Sequence, residues 1–284
     1  MSHKRLIDNE NESFYHVIIK ICDRTDRCSD YALADAHKKK LHQLFFWLES
    51  IYSLDCLGYC LMSTHAHFIL RRRPKLKLSQ KEIAKRHQSY YGLKWALDAR
   101  SREVIHFGKR LNDLSHFIGD LEKRFTHWYN KQFKITRRGS LWNPRYKSVL
   151  LESELALERC LQYVELNPVR AGMVIRPEDY HYCSWFEIMK GTKLGHLLKQ
   201  RIIDSLRSLG GGINQTPQKL FEGYEKVMEL MTVGLEMNPK LKGIYPELEI
   251  ELLHSHHFWS DAYVIGSESG CLNYQQGKRR RLVS

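Results

Sequence analysis

The sequence predicts an α+β protein: an antiparallel sheet with helices gathered on one face, followed by a mainly helical C-terminal extension. Three observations lead there. Short runs rich in Val, Ile, Tyr and Phe occupy residues 13–22, 54–62, 65–70 and 141–151, the length and composition of strands. Longer segments with apolar residues at helical spacing stand between and after them. The order strand, helix, strand, strand, helix, strand, helix does not alternate regularly enough for a parallel sheet.

Taken in order, 13–22 is the first strand. Residues 30–52 read as a helix with Asp30 as N-cap and Leu33, His37, Leu41, Leu44, Phe45 and Leu48 on one side. The strands 54–62 and 65–70 are joined by Ser63-Thr64, a polar connection that suits an antiparallel hairpin. A largely helical segment, 71–138, follows; within it, 111–133 carries Leu114, Phe117, Ile118, Leu121, Phe125 and Trp128 at helical spacing. Gly139 punctuates it. After the strand 141–151, residues 152–167 form a helix that stops before Pro168, whose ring excludes the helical conformation from the residue before it. The core domain is therefore 1–190. Residues 191–284 are an extension, with helices at 194–209 and 216–233 parted by Gly210-Gly211-Gly212 and a basic tail at Lys278-Arg279-Arg280-Arg281. That tail is the solvated end of a chain.

Composition narrows the function. A chain of 284 residues that is 43% hydrophobic and 11% aromatic can bury a full core, which sets it apart from a disordered chain. Its apolar runs are far too short to cross a bilayer, and its first residues lack the apolar segment of a secretory signal. Seven scattered cysteines suit the reduced thiols of a cytoplasmic protein. Cys56 and Cys60, about 13 Å apart on a strand, are too distant to share an ion. The net charge of +13 is localised: residues 71–138 hold 19 Lys and Arg against 6 Asp and Glu, so the rest of the chain is neutral. An excess of that size in one segment points to a polyanion, and to nucleic acid before a membrane surface.

Two motifs carry chemistry. In His65-Ala66-His67 the imidazoles are two residues apart on a strand, on the same face and roughly 6.6 Å from each other, so both can meet one cation. Alone, the pair reads more readily as two solvated or hydrogen-bonded histidines, since His-x-His is common by chance. His254-Ser255-His256-His257, with no other chemistry near it, reads as surface. In the run Tyr163 to Val174, Tyr163 and Asn167 stand four apart on one helix face, a phenol and a neutral oxygen ligand one turn from each other. The bland alternative is a packed tyrosine ring and a helix-capping asparagine.

Together these stretches resemble the HUH single-tyrosine transposases, and the branch called REP-associated tyrosine transposases (IS200-like) most closely. Residues 62–70, with His65 and His67, look like the family's histidine–hydrophobe–histidine strand, and 163–174 like its nucleophile helix. Residues 139–148, with Trp142 and Arg145, resemble its Trp–polar–small–Arg–aromatic segment, and Tyr180 to Trp185 its closing aromatic-Ser segment. Ser63-Thr64 departs from the Pro-Asn or Pro-Glu of most relatives, Ala66 is smaller than the usual Val or Met, and the basic segment is longer.

The resemblance implies a ferredoxin-like HUH nuclease core and a metal-dependent single-stranded DNA endonuclease and strand-transferase acting on hairpin-flanked DNA. In that family Tyr163 would be the nucleophile, forming a 5′-phosphotyrosine, and His65, His67 and Asn167 would hold Mg²⁺ or Mn²⁺. Arg71, Arg72, Arg73, Arg137 and Arg138 would bind backbone phosphates, with Lys85-Arg86, Lys109-Arg110 and Lys123-Arg124 beside them. Trp142 and Trp95 are stacking candidates, Trp128 belongs to an apolar stripe, and Arg145 is placed near the site by motif position. The resemblance accommodates a monomer as well as a homodimer that exchanges its tyrosine helix. Two other readings stand beside it: a domesticated, non-catalytic DNA-binding protein, and an RNA-associated basic protein.

Overall fold

The computed structural model describes residues 11–22, 32–73, 77–132, 140–212, 214–236 and 264–265. The strands are β1 (Ser13–Lys20), β2 (Leu54–Leu61), β3 (His65–Arg72) and β4 (Lys147–Leu151), antiparallel throughout in the order β2-β3-β1-β4. Val264 and Ile265 (β5) lie alongside β4 in parallel. The helices are α1 (Asp35–Ile51), α2 (Gln80–Tyr91), α3 (Arg102–Arg110), α4 (Leu114–Asn130), α5 (Glu154–Glu165), α6 (Asn167–Arg170), α7 (Ser184–Met189), α8 (Lys193–Ser208) and α9 (Pro217–Glu236). The α+β class expected from the sequence is the one observed.

Helices lie on both faces of the sheet, not on one as the sequence suggested. On β3, Phe68 stacks on Phe45 of α1 with ring centroids 4.2 Å apart, and Phe45 meets Phe117 of α4 at 5.4 Å. His67 and Arg71 point the opposite way, since successive strand residues alternate between faces. There His67 meets Asn167, and Arg71 donates to Ser205 of α8. β3 is buried along nearly its whole length, so its apolar run carries no alternation from which an uncovered face could have been read.

The expected boundary at residue 190 is also absent. Leu198, Ile202 and Leu206 of α8 and Phe221, Tyr224 and Met228 of α9 belong to the same buried core as the sheet. Arg201 of α8 pairs with Glu49 of α1 at 2.6 Å. These helices complete the covering of the sheet, because their apolar faces have nothing else to bury against. The free edge of β2 is closed by the segment 180–184. Tyr180 Oη donates to the Leu61 carbonyl (2.6 Å), Leu61 N–H donates to Tyr182 O (2.9 Å), and Tyr59 N–H donates to Ser184 Oγ (3.1 Å).

Helix ends follow their local chemistry. Ser79, Ser101, Asp113, Ser153 and Thr192 accept hydrogen bonds from the first turns of α2, α3, α4, α5 and α8. Asp30, expected to cap the first helix, lies outside the described residues; α1 starts at Asp35 after Ala34. Pro168 does not stop the helical path. α5 ends at Glu165, the chain passes through Leu166, and α6 resumes with Pro168 in its first turn, where its missing N–H costs nothing.

One buried acid ties these layers together. Glu165, wholly buried on α5, accepts from Ser184 Oγ (2.9 Å) and from Tyr224 Oη of α9 (2.6 Å). Burial pushes its carboxyl up to about 7, against the two hydrogen bonds that favour the charged form. A folded pKa above the unfolded value makes Glu165 most favourable to the fold below about pH 4.5, and that contribution is lost as pH rises to about 7. Urea unfolding at pH 5 and pH 8 should show the wild-type chain losing more stability across the interval than Glu165→Gln. The difference should reach up to roughly 3 kcal/mol. Equal losses in the two proteins would remove this ionisation from the account.

Candidate active site

The strand register sets the floor of a cleft of about 530 Å³. Lys20 pairs with His65 and Ile18 with His67 across β1 and β3, while Ile18 pairs with Lys147 across β1 and β4. All of these side chains share one face of the sheet. α5 crosses above them and presents Tyr163; α6 adds Asn167 and Arg170. Positions 163, 167 and 170 lie on one face because the helical path persists through Leu166 (φ −86°, ψ −1°).

The structure thus brings Tyr163, His65, His67 and Asn167 together. The two imidazole centroids are 4.8 Å apart, the Tyr163 ring lies 5.8 Å from that of His67, and the Asn167 amide is 3.1 Å from His67 Nε2. A neutral amide and two imidazoles form a donor set that fits a hard or borderline divalent cation. Among the described residues no group of three or more His, Cys, Asp or Glu gathers in metal-binding range, so any such site here needs the amide as its third donor.

A residue outside the sequence motifs orients the pair. His16, fully buried on β1, stacks on His67 with centroids 5.1 Å apart, and its Nε2 lies 2.9 Å from His67 Nδ1. With the Asn167 amide N–H donating to His67 Nε2, the His67 proton sits on Nδ1 and donates to His16. The Nε2 lone pair accepts from the Asn167 amide, so a cation there would replace that hydrogen bond and require the amide to turn its oxygen inward, while the Nδ1 partner orients the ring as second partners do for metal-bound histidines. Thr64 Oγ1 stands 3.0 Å from His65 Nδ1 and orients that ring in turn. The signal for His16 was present in the strand: positions 16, 18 and 20 alternate onto one face, but nothing in the sequence says which face the histidine strand shares.

The Tyr163 side chain is only 5% exposed. Burial raises its phenol above the ordinary value. The Arg170 guanidinium, 5.0 Å from the ring centroid, and a hydrogen bond with Asn167 pull it back. Lys20, Arg145, Lys147 and Arg170 stand around the cleft, the first three exposed, and no carboxylate among the described residues lines it. Four cations in one concavity focus a positive potential on it. Of these the sequence singled out only Arg145. Arg170 was legible as the residue three past Asn167; Lys20 and Lys147 needed the strand register.

Other expected contacts are corrected. Arg71 and Arg72 are each 9% exposed. Arg71 pairs with Asp55 at 2.9 Å and Arg72 Nε donates to the Asn112 carbonyl at 2.8 Å. Arg73 is bound to the same Asp55 at 2.8 Å. The Arg71 and Arg72 guanidinium groups clamp the end of the hairpin from inside, whereas the Arg73 side chain, though paired with Asp55, stays 39% exposed. Trp142 is 2% exposed, packs on Phe125 and donates its indole N–H to Glu122 O at 3.2 Å, so its faces cannot stack on a base. Trp128, half-buried, packs against the core as its stripe suggested. Arg137 and Arg138 lie outside the described residues.

The division is measurable. Arg71→Ala leaves Asp55 with Arg73 and Arg201 as partners, so it should cost about 1–3 kcal/mol in urea unfolding, below the usual range for a broken buried pair. Arg145→Ala should stay within about 0.5 kcal/mol of wild type. Equal effects would contradict the assignment of Arg71 to the scaffold.

No protein-family model matches the chain, and no curated protein does. Among the described residues no helix is long and apolar enough to cross a membrane. Among solved structures, that of a REP-associated tyrosine transposase bound to a REP hairpin is similar to this chain at 15% identity, with a TM-score of 0.43 over 67% of this chain and 86% of that one. At that distance the likeness assigns no activity.

Proposed function

We propose that the chain is a metal-dependent enzyme that cuts and rejoins single-stranded DNA beside a hairpin, with Tyr163 as the covalent nucleophile. One observation carries this reading: a phenol, two imidazoles and an amide converge at the bottom of a cleft ringed by four cations. Each part has a task in phosphoryl transfer, and Tyr163 also packs into the core by its ring.

Lys20, Arg145 and Lys147 draw in the phosphodiester backbone and fix the scissile phosphate over the sheet. His65 and His67, with Asn167, would hold Mg²⁺ or Mn²⁺, which when bound neutralises charge on the non-bridging phosphate oxygens. His16 orients the His67 ring through Nδ1, and the Asn167 N–H at Nε2 would give way to a bound cation. Tyr163 Oη then attacks phosphorus: an O–P bond to tyrosine forms, the P–O3′ bond breaks, and the 3′ oxygen leaves as a hydroxyl after gaining a proton. The phenolic proton passes to solvent. The bond energy stays in the 5′-phosphotyrosine, so a second 3′-hydroxyl can reverse the step without ATP.

A phenol buried in the resting protein and raised above its ordinary value is a poor nucleophile at neutral pH. Arg170 offsets this by favouring the phenolate, so its charge belongs to the chemistry as well as to DNA binding. The position of Tyr163 favours single strands: a tyrosine on a helix at the bottom of the cleft, 5% exposed, cannot easily attack a phosphate within a duplex.

The test is incubation with hairpin-flanked single-stranded DNA and Mn²⁺, followed by a denaturing gel. A covalent protein–DNA adduct is expected from the wild-type chain and none from Tyr163→Phe or in the presence of EDTA. His67→Ala and Asn167→Ala should lower the yield at least about 100-fold if the donor set is real. Tight DNA binding without any adduct would assign the site to a non-catalytic DNA-binding protein instead.

The pH dependence gives a second check. Adduct formation should rise with pH while Tyr163 loses its proton, and Arg170→Gln should move that rise to higher pH, slowing the reaction about tenfold at pH 8. An unchanged profile in Arg170→Gln would detach the guanidinium from the activation of Tyr163.

A further inference from the structure

The segment between α2 and α3 holds the most exposed large hydrophobic side chain among the described residues. Trp95 is 74% exposed, and Tyr91, Leu93 and Leu97 beside it are 54%, 37% and 40% exposed. Nothing in the cleft chemistry uses them. α2 packs on α1, where Arg86 donates to Ile51 O at 2.9 Å and Tyr52 O at 3.1 Å, and Tyr90 stacks on Trp47 at 6.1 Å. α1 covers the sheet face opposite the cleft, so this surface is distinct from the candidate active site.

The loop that carries Trp95 is held in place. Gly92 closes α2 in the left-handed region (φ 63°), and Leu93 N–H donates back to Gln88 O at 3.0 Å. The Gln88 amide then donates to Leu93 O (3.3 Å) and Lys94 O (3.1 Å). Downstream, Arg100 N–H donates to Asp98 Oδ1 at 2.6 Å and Ser101 caps α3. Tyr91 packs over Phe107 of α3 at 6.0 Å. An ordered loop displaying an unshielded indole has already lost the entropy that binding would otherwise cost it.

Charge selects the occupant. From residue 77 to 110, seven Lys and Arg are exposed against three Asp and Glu. Lys85, Lys94, Arg100 and Arg102 are among them, on the elements that bracket the loop, and the Lys94 ammonium lies 5.5 Å from the Trp95 ring. A second copy of this face would meet its own excess of cations, and an uncharged apolar partner would leave them desolvated. Flat aromatic groups joined by anions satisfy both the ring and the charge.

We propose that the α2–α3 surface is a second nucleic-acid site, which binds single-stranded DNA by stacking a base on Trp95 while Lys94 and its neighbours engage the flanking phosphates. The choice of DNA rests on the reading of the cleft given above; the stacking platform itself does not. It would hold a stretch of strand outside the cleft and lengthen the footprint of the protein on its substrate.

The experiment measures binding of a fluorescein-labelled dT20 oligonucleotide to the full chain by anisotropy, in EDTA so that no cleavage intervenes. Trp95→Ala should weaken binding about tenfold, and Trp95→Phe, which keeps an aromatic face, should recover most of it. Lys94→Ala with Arg100→Ala should reduce the dependence of log Kd on log salt by about one. Thermal unfolding of Trp95→Ala should match wild type, since the side chain is exposed. Unaltered dT20 affinity in Trp95→Ala would overturn the proposal. So would a loss of self-association in that variant by sedimentation with DNA binding intact, which would make the surface a contact between copies. Loss of the Tyr163 adduct reading alone would leave a Trp95 effect standing, and an intact adduct with no Trp95 effect would remove only the platform.

Discussion

The site depends on how closely α5 lies on the sheet. At Gly58 of β2 a Cβ would stand 2.8 Å from Leu161 Cδ2 and 3.4 Å from Ser184 Oγ, so a side chain there would have to displace the Leu161 side chain that α5 rests on. The approach is made at a bulge, where the β2–β3 register shifts between Cys56 and Gly58. Because α5 sits this low, Tyr163 reaches the ring of His67 directly, and its own ring becomes part of the packed layer. The phenol is thereby positioned by the same contacts that stabilise the fold, which gives the nucleophile little freedom to wander.

The basic excess divides by what each cation can reach. Arg71, Arg86, Arg110 and Arg201 send their guanidinium groups inward, to Asp55, to the carbonyls that end α1, to Asp120 and to Glu49. They are fixed in planar, multiply bonded settings that Lys could not copy. Lys20, Arg145 and Lys147 instead stand exposed around the cleft. Adjacent arginines in the sequence therefore say less about a ligand than isolated cations that the sheet brings together.

Much of this was legible in the sequence. Most strands and helices were found close to their observed limits because period and capping are local properties, although the strand expected over 141–151 starts only at Lys147. Spacing offered the pairs His65/His67 and Tyr163/Asn167, and the family resemblance implied that they converge. What failed was long-range. Arg71 and Arg72 look like a phosphate clamp until Asp55 and Asn112 are seen opposite them. Trp142 looks like a stacking surface until Phe125 of α4 is seen against it. His16 and Lys20 went unnoticed because only the pairing of β1 with β3 brings them to the histidines. The helices beyond residue 190 were set apart because a polar Gly-rich turn and amphipathic helices read the same in an independent unit as in the second covering layer of a sheet.

That second layer has a mechanical consequence. A helix turns about 100° per residue, so slipping α5 by one position about its axis would carry Tyr163 out of the cleft. Apolar contacts alone tolerate such slips, since one aliphatic side chain substitutes readily for another. Directional bonds do not. Glu165 leaves α5 two residues after Tyr163, on the side away from the cleft, and its two oxygens accept from Ser184 and from Tyr224 at fixed angles. Both donors come from helices that the sequence placed at or beyond the end of the core. Their hydroxyls therefore set the rotation of α5, and a buried carboxyl held near neutrality by its surroundings is tolerated because only a polar anchor can define that angle. The C-terminal helices thus take part in the site without lining it.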